Sequence, residues 1–171
     1  MCTKKKKIII CIIAALLILF LGWRMWPHPL DKVISADMDS ITSLACNVSI
    51  SGLEDSGDSY IDSYTLQALS EDDEHFQNII DILKSTEYRQ NFRNLLPWSI
   101  TSVDAGKNYD GRSANVLLAW GSEDNENCYL SFLDNNTIVI SSINGDILQI
   151  YHPINRAVLD ELVDYIQIHG K

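Results

Sequence analysis

Four consecutive lysines, Lys4, Lys5, Lys6 and Lys7, run straight into fourteen uninterrupted apolar residues at positions 8–21. Gly22, Trp23, Arg24, Met25, Trp26 and Pro27 then close the run. The segment from position 8 to position 26 is nineteen residues long. As a helix it measures about 28 Å, close to the ~30 Å thickness of a bilayer's hydrocarbon core. Arg24 lies near the end, where its stem can snorkel to the headgroups. Trp23 and Trp26 suit an interfacial aromatic belt. The competing reading is a cleaved signal peptide, which requires small residues at an A-x-A-like site. The chain instead offers bulky residues there, and Cys11 falls mid-run, where a lipoprotein signal cannot use it. Lysine-rich flanks stay in the cytoplasm. The expected layout is a cytoplasmic basic stub at 1–7, a retained transmembrane signal-anchor helix at 8–26, a short linker at 27–31 and an extracytoplasmic domain at 32–171. The stub is too short to carry a message.

The exported part has 8 basic and 23 acidic side chains, a net of −15, whereas the whole chain carries −10. Such a charge argues against nucleic acid or anionic lipid as partners, because phosphate contacts require lysine and arginine. It suits a well-solvated surface, cationic ligands or divalent ions. About 140 residues make one domain. No internal repeat or low-complexity tract divides it, and residues 51–59, SGLEDSGDS, read as a loop.

Leu44, Cys46, Val48 and Ile50 alternate with polar or small residues, the period of a half-buried strand. A second strand over 60–69 completes a hairpin, and an earlier short strand is expected over 32–36. Ser70 is the expected N-cap of a helix ending near Ser85, with Phe76, Ile79, Ile80 and Leu83 as its apolar stripe. Residues 88–95 suggest a short turn. The second half reads as an antiparallel meander with strands at 98–103, 116–120, 128–132, 137–142 and 147–151, and a loop over 104–115. Asn144-Gly145 is a strong hairpin signal. Residues 153–168 close as a helix carrying Leu159, Leu162, Val163 and Ile166 on one face. The expected fold class is α+β: an N-terminal transmembrane helix, then one domain with an antiparallel β-sheet and two main helices packed on one face.

The lysine-rich start, the isoleucine-rich anchor, the segment HFQNIIDILKSTEY at 75–88 and the late strands before LDELVDYI at 159–166 carry a resemblance. The chain resembles uncharacterised membrane-anchored extracytoplasmic proteins of Gram-positive bacteria, which include domains of unknown function. The resemblance implies a tethered accessory or binding domain, and no catalytic residue carries over with it.

The sequence contains no G-x-S-x-G, H-E-x-x-H, C-x-x-C or phosphate-binding glycine loop. His28, His75, His152 and His169 lie in unrelated elements and read as surface residues. Cys46 and Cys128 are each in phase with apolar neighbours, which favours core thiols; one disulfide between them is the competing reading. Glu54, Asp55, Asp58 and Asp62 crowd one region without EF-hand spacing, leaving Asp55, Asp58 and Asp62 as weak metal candidates. Asn47-Val48-Ser49 and Asn135-Asn136-Thr137 match a glycosylation sequon that is common by chance. Among the aromatics, Trp98 and Trp120 read as packing residues, while Tyr109 and Tyr129 are the ligand-contact candidates. No cofactor is expected.

Two functions follow. The first is a non-catalytic binding or accessory module, partnered by the membrane through residues 8–26 and by a protein or envelope ligand. The second is an extracytoplasmic hydrolase or cation-binding enzyme using acidic loop residues. Protease added to intact protoplasts should remove the domain, and the purified protein should still begin near residue 1. Protection from protease, or a mature N-terminus near residue 27, contradicts the layout.

Overall fold

The computed structural model describes residues 2–34, 36–90, 111–120, 127–133, 136–142 and 148–171. Helix α1, Cys2–Met25, takes in the lysines and the whole apolar run. Its stretch from Lys6 to Met25 is long and apolar enough to cross a membrane, and it buries nothing against the rest of the chain. The domain is α+β and follows in the order α2 (Leu30–Ile34), a 3-10 turn (Met38–Ser40), β1 (Ile41–Leu53), β2 (Ser59–Ser70), α3 (Glu74–Lys84), β3 (Tyr88–Arg89), β4 (Gly111–Trp120), β5 (Asn127–Leu133), β6 (Thr137–Ser142), β7 (Leu148–Pro153) and α4 (Val158–His169).

Among the described residues the strands form one seven-stranded sheet, ordered β2-β1-β4-β5-β6-β7-β3, with every neighbouring pair antiparallel. Inward side chains line up in rows across it. Val48, Ala114, Phe132, Ile138 and Tyr151 are successive cross-strand partners; so are Cys46, Val116, Leu130 and Ile140. All are buried. Ala114 leaves room beside Phe132, the size alternation that lets a row fill without voids. The polar residues Asn47, Ser49, Asn115 and Ser131 lie out of phase, on the half-exposed opposite face.

Both long helices pack on the apolar face, α4 over β1, β2 and β4, and α3 against α4 and β2. Phe76, Ile79, Ile80 and Leu83 of α3 and Val158, Leu159, Leu162, Val163 and Ile166 of α4 are buried. A polar clasp joins the two helices: His75 Nδ1 lies 2.8 Å from the Tyr165 hydroxyl, and Asn78 Nδ2 donates to that hydroxyl at 3.0 Å. The His169 ring sits 4.9 Å from that of His75. The two histidines expected in unrelated elements are therefore neighbours, because α3 and α4 lie side by side.

Several boundaries differ from the sequence reading. Residues 30–34 are a helical turn, not a strand: Leu30 and Val33, three apart, are both buried, and Pro29 supplies a carbonyl to the amides of Lys32 and Val33. The segment expected as a linker is thereby folded into the domain. Helix α3 is capped by Asp73, whose carboxylate accepts from the His75 amide at 2.8 Å, while Ser70 still belongs to β2, opposite Ser43. Strand β4 starts at Gly111, five residues before the expected start, because pairing with β1 continues to Ser51. Pro153 ends β7 rather than opening α4, and it sits opposite Tyr88. The expected strand at 98–103, the loop at 104–110, the turn at 123–126 and the Asn144-Gly145 hairpin lie outside the described residues.

The sheet edge at β3 is tied to α1. Tyr88 and His28 exchange both backbone hydrogen bonds, each at 2.8 Å. The Tyr88 ring is fully buried and its hydroxyl donates to the Leu83 carbonyl at 3.0 Å. Replacing Tyr88 with Phe should lower stability to urea by about 1 kcal/mol, the net worth of one hydrogen bond. Replacing it with Ala should cost about 3–5 kcal/mol through the cavity left behind. Equal effects of the two substitutions contradict this placement.

Candidate functional site

The β3–β7 pairing sets out one cluster of functional groups. Tyr88 faces Pro153 across the ladder, and Arg89 faces His152. Side chains alternate along a strand, so Tyr88 and Pro153 turn to the core while Arg89 and His152 stand together on the other side. Asn136 closes the β5–β6 turn with φ at 58°, a left-handed conformation that asparagine tolerates better than most residues. Its carbonyl accepts a hydrogen bond from His152 Nδ1 at 2.9 Å, and its amide donates to the Pro153 carbonyl at 3.4 Å. The His152 ring is thereby held with its proton on Nδ1. Beyond β7, the Ile154 amide donates to the Glu87 carbonyl and the Asn155 amide to Thr86 Oγ1, both at 2.8 Å. These bonds fix the turn that carries Arg156.

Between these elements and the end of α1 lies a cleft of about 640 Å³, lined by Met25, Arg89, Gln90, Asn136, His152, Pro153, Ile154 and Arg156. Arg24 is also near. Burial raises the pKa of the Tyr151 hydroxyl, and the positive charge of Arg24 pulls it back down. Two other cations of the domain are neutralised, Lys84 by Asp39 at 2.9 Å and Arg112 by Asp160 at 2.7 Å. Among the described residues Arg24, Arg89 and Arg156 make no ion pair. Glu87, two positions before Arg89, is exposed and pairs with neither cleft arginine. Guanidinium forks beside side-chain amides present hydrogen-bond donors in the geometry that holds carboxylate or phosphate oxygens.

The residues singled out from sequence lie elsewhere. Asp55 and Asp58 are in the exposed β1–β2 turn, where Asp58 accepts from Ser56 Oγ at 3.0 Å and from the Glu54 amide through its carbonyl at 2.8 Å. These bonds build the turn. Asp62 is exposed on β2, opposite Ile50. Among the described residues no three His, Cys, Asp or Glu side chains converge as metal ligands. Tyr129 is 40 % exposed, on the sheet face away from the helices. Tyr109 lies outside the described residues. Cys46 and Cys128 are buried and unbridged. Cys46 is opposite Val116, whereas Cys128 is opposite Leu118, with β4 between them. Two inter-strand steps and a two-residue offset separate their Cα atoms by roughly 12 Å, beyond the ~7 Å limit for a disulfide.

The cleft residues are missed in the sequence because they come from positions 25, 89–90, 136 and 152–156 and meet only through the strand order. The available signal was the scarcity of cations: of the eight basic residues after position 30, Arg89 and Arg156 share one cleft. No protein-family model and no curated protein matches the chain, so its own geometry carries the functional reading.

Burial pushes both thiols up to about 12 from 9.0. Their protonated form is favoured in the folded state, so this contribution to stability is complete below pH 9 and is lost as pH rises from 9 towards 12. Alkaline destabilisation should therefore be shallower in a Cys46→Ala/Cys128→Ala variant. In the folded protein both thiols should resist a maleimide at neutral pH. Rapid labelling of either, or an unchanged alkaline limb in the variant, contradicts the core assignment.

Proposed function

We propose that this chain is a single-pass membrane protein with a cytoplasmic N-terminus, whose domain stands outside the membrane and acts by binding a ligand, not by turning one over. The observation that carries this reading is the cleft at the junction of α1 and the sheet edge, where Arg89, Arg156, His152 and Asn136 meet at the end of the anchor. Donors and cations gathered in a concave site supply recognition. The two thiols of the domain, Cys46 and Cys128, are buried in the core and held protonated. The anchor supports the membrane location, and the lysines before it support the orientation. A tethered binding role also fits the membrane-anchored extracytoplasmic proteins that the sequence resembles.

Ile154, half-exposed on the cleft rim, is the place for a photo-crosslinking side chain. In native membranes it should yield a discrete adduct that disappears on Arg89→Gln/Arg156→Gln substitution, while the full chain shows no turnover of peptidase, esterase or glycosidase substrates. Turnover that is lost on changing His152 or a single acidic residue overturns the binding reading in favour of the hydrolase.

A further inference from the structure

Resting on the cleft as the binding surface, we infer that its ligand is the phosphate of an anionic phospholipid headgroup in the leaflet around the outer end of α1. Depth is the first ground. Met25, the last residue of α1, is part of the cleft lining. The apolar stretch ends there at about the thickness of the hydrocarbon core, so the cleft mouth falls at headgroup level. Trp23 and Trp26, 62 % and 70 % exposed, flank that same level, where amphipathic rings settle at a membrane surface.

Charge is the second ground. Arg89 from β3 and Arg156 from the turn before α4 line the cleft from two distant parts of the chain. Among the described residues neither is spent on an ion pair. A phosphodiester offers a single negative charge and oxygens that a guanidinium fork matches. The amides of Gln90 and Asn136 stand in the same lining.

The apolar part of the lining is the third ground. Met25, Pro153 and Ile154 sit beside the cations, and Ile154 is 46 % exposed. An inorganic anion has no use for that surface, whereas the glycerol and upper acyl carbons of a lipid would cover it. The negative composition of the domain, which by itself argues against anionic lipid, is thus overridden at one edge where the unpaired cations collect.

The test uses the full chain in phosphatidylcholine vesicles, with brominated lipid confined to the leaflet facing the domain. That confinement removes any contribution from Lys4, Lys5, Lys6 and Lys7. At equal mole fraction, brominated phosphatidylglycerol should quench tryptophan fluorescence more than brominated phosphatidylcholine. The preference should fall about fivefold for each arginine removed, the weight of one juxtamembrane cation near an anionic surface. Arg89→Gln/Arg156→Gln should abolish most of it, Arg89→Lys/Arg156→Lys should keep a substantial part, and Lys171→Gln should leave it unchanged. In a second arm, inorganic phosphate and glycerol phosphate are titrated at constant ionic strength against the protein in pure phosphatidylcholine. Saturable binding of these soluble anions, without any preference between the two brominated lipids, makes the cleft a free-anion site and overturns the inference. Quenching that the Gln pair leaves untouched overturns it as well. If the Ile154 adduct is still lost in that pair, the binding reading survives its lipid assignment; if the adduct also persists, both fall.

Discussion

Two backbone hydrogen bonds between His28 and Tyr88 decide how α1 and the domain relate. His28 stands between Pro27 and Pro29. Neither proline has an amide hydrogen, so His28 supplies the only backbone donor across those three positions. It goes to Tyr88, and the ladder cannot be extended past it on either side. The same three residues therefore end the apolar helix, add one pair to the sheet edge and prevent that edge from recruiting further strand. The Pro29 carbonyl then accepts from the Lys32 and Val33 amides of α2, and Leu30 enters the core. A junction that could have been a flexible tether is instead continuous with the fold, so the edge carrying Arg89 is held at the end of α1.

The far edge is managed by the same physics. Strand β2 would expose a row of unpaired backbone groups, but Thr65 and Lys171 exchange both hydrogen bonds, at 2.9 and 3.1 Å. Helix α4 delivers the chain to that position after crossing the apolar face. Gly170 makes the approach feasible: a Cβ there would lie 2.5 Å from the Ile166 carbonyl oxygen and 3.1 Å from the Thr65 amide. The sheet is thus bracketed by the two ends of the domain. The core rows between the brackets depend on strands that are distant in sequence, since paired residues of β1 and β4 lie sixty or more positions apart.

Local pattern predicts the parts of this fold that local pattern determines. The alternation of Leu44, Cys46, Val48 and Ile50, that of Cys128, Leu130 and Phe132, and the stripe from Phe76 to Leu83 each report a buried face directly. Boundaries were less legible where two signals competed. Ser70 and Asp73 are both good caps, and the choice fell to Asp73 because β1 still had a partner to offer Ser70. Pro153 suits the first turn of a helix but equally suits the end of a strand whose neighbour, β3, is only two residues long. The short helix at 30–34 was hidden because an apolar pair spaced by three is weak evidence in so few residues. None of the cleft was legible, since no sequence period links position 25 to 89, 136 and 156. Only the β6-β7-β3 order brings them together.

For the proposed lipid site net charge is a poor guide, for a reason that is general. At physiological ionic strength exposed charges are screened over about 8 Å, so a ligand at one edge does not feel the sum over the domain. It feels the groups within reach, and at the β3–β7 edge these include Arg89 and Arg156. The composition still matters, in a different role. In the proposed orientation the acidic remainder of the domain is repelled by an anionic surface, while the one cationic edge is attracted to it. The two effects act in the same rotational sense, as does the His28–Tyr88 pair. In the proposed membrane-bound state, a domain that is acidic overall and cationic at one edge would be turned so that the cleft faces the bilayer and the rest faces away. A uniformly basic domain could lie against the surface on any side.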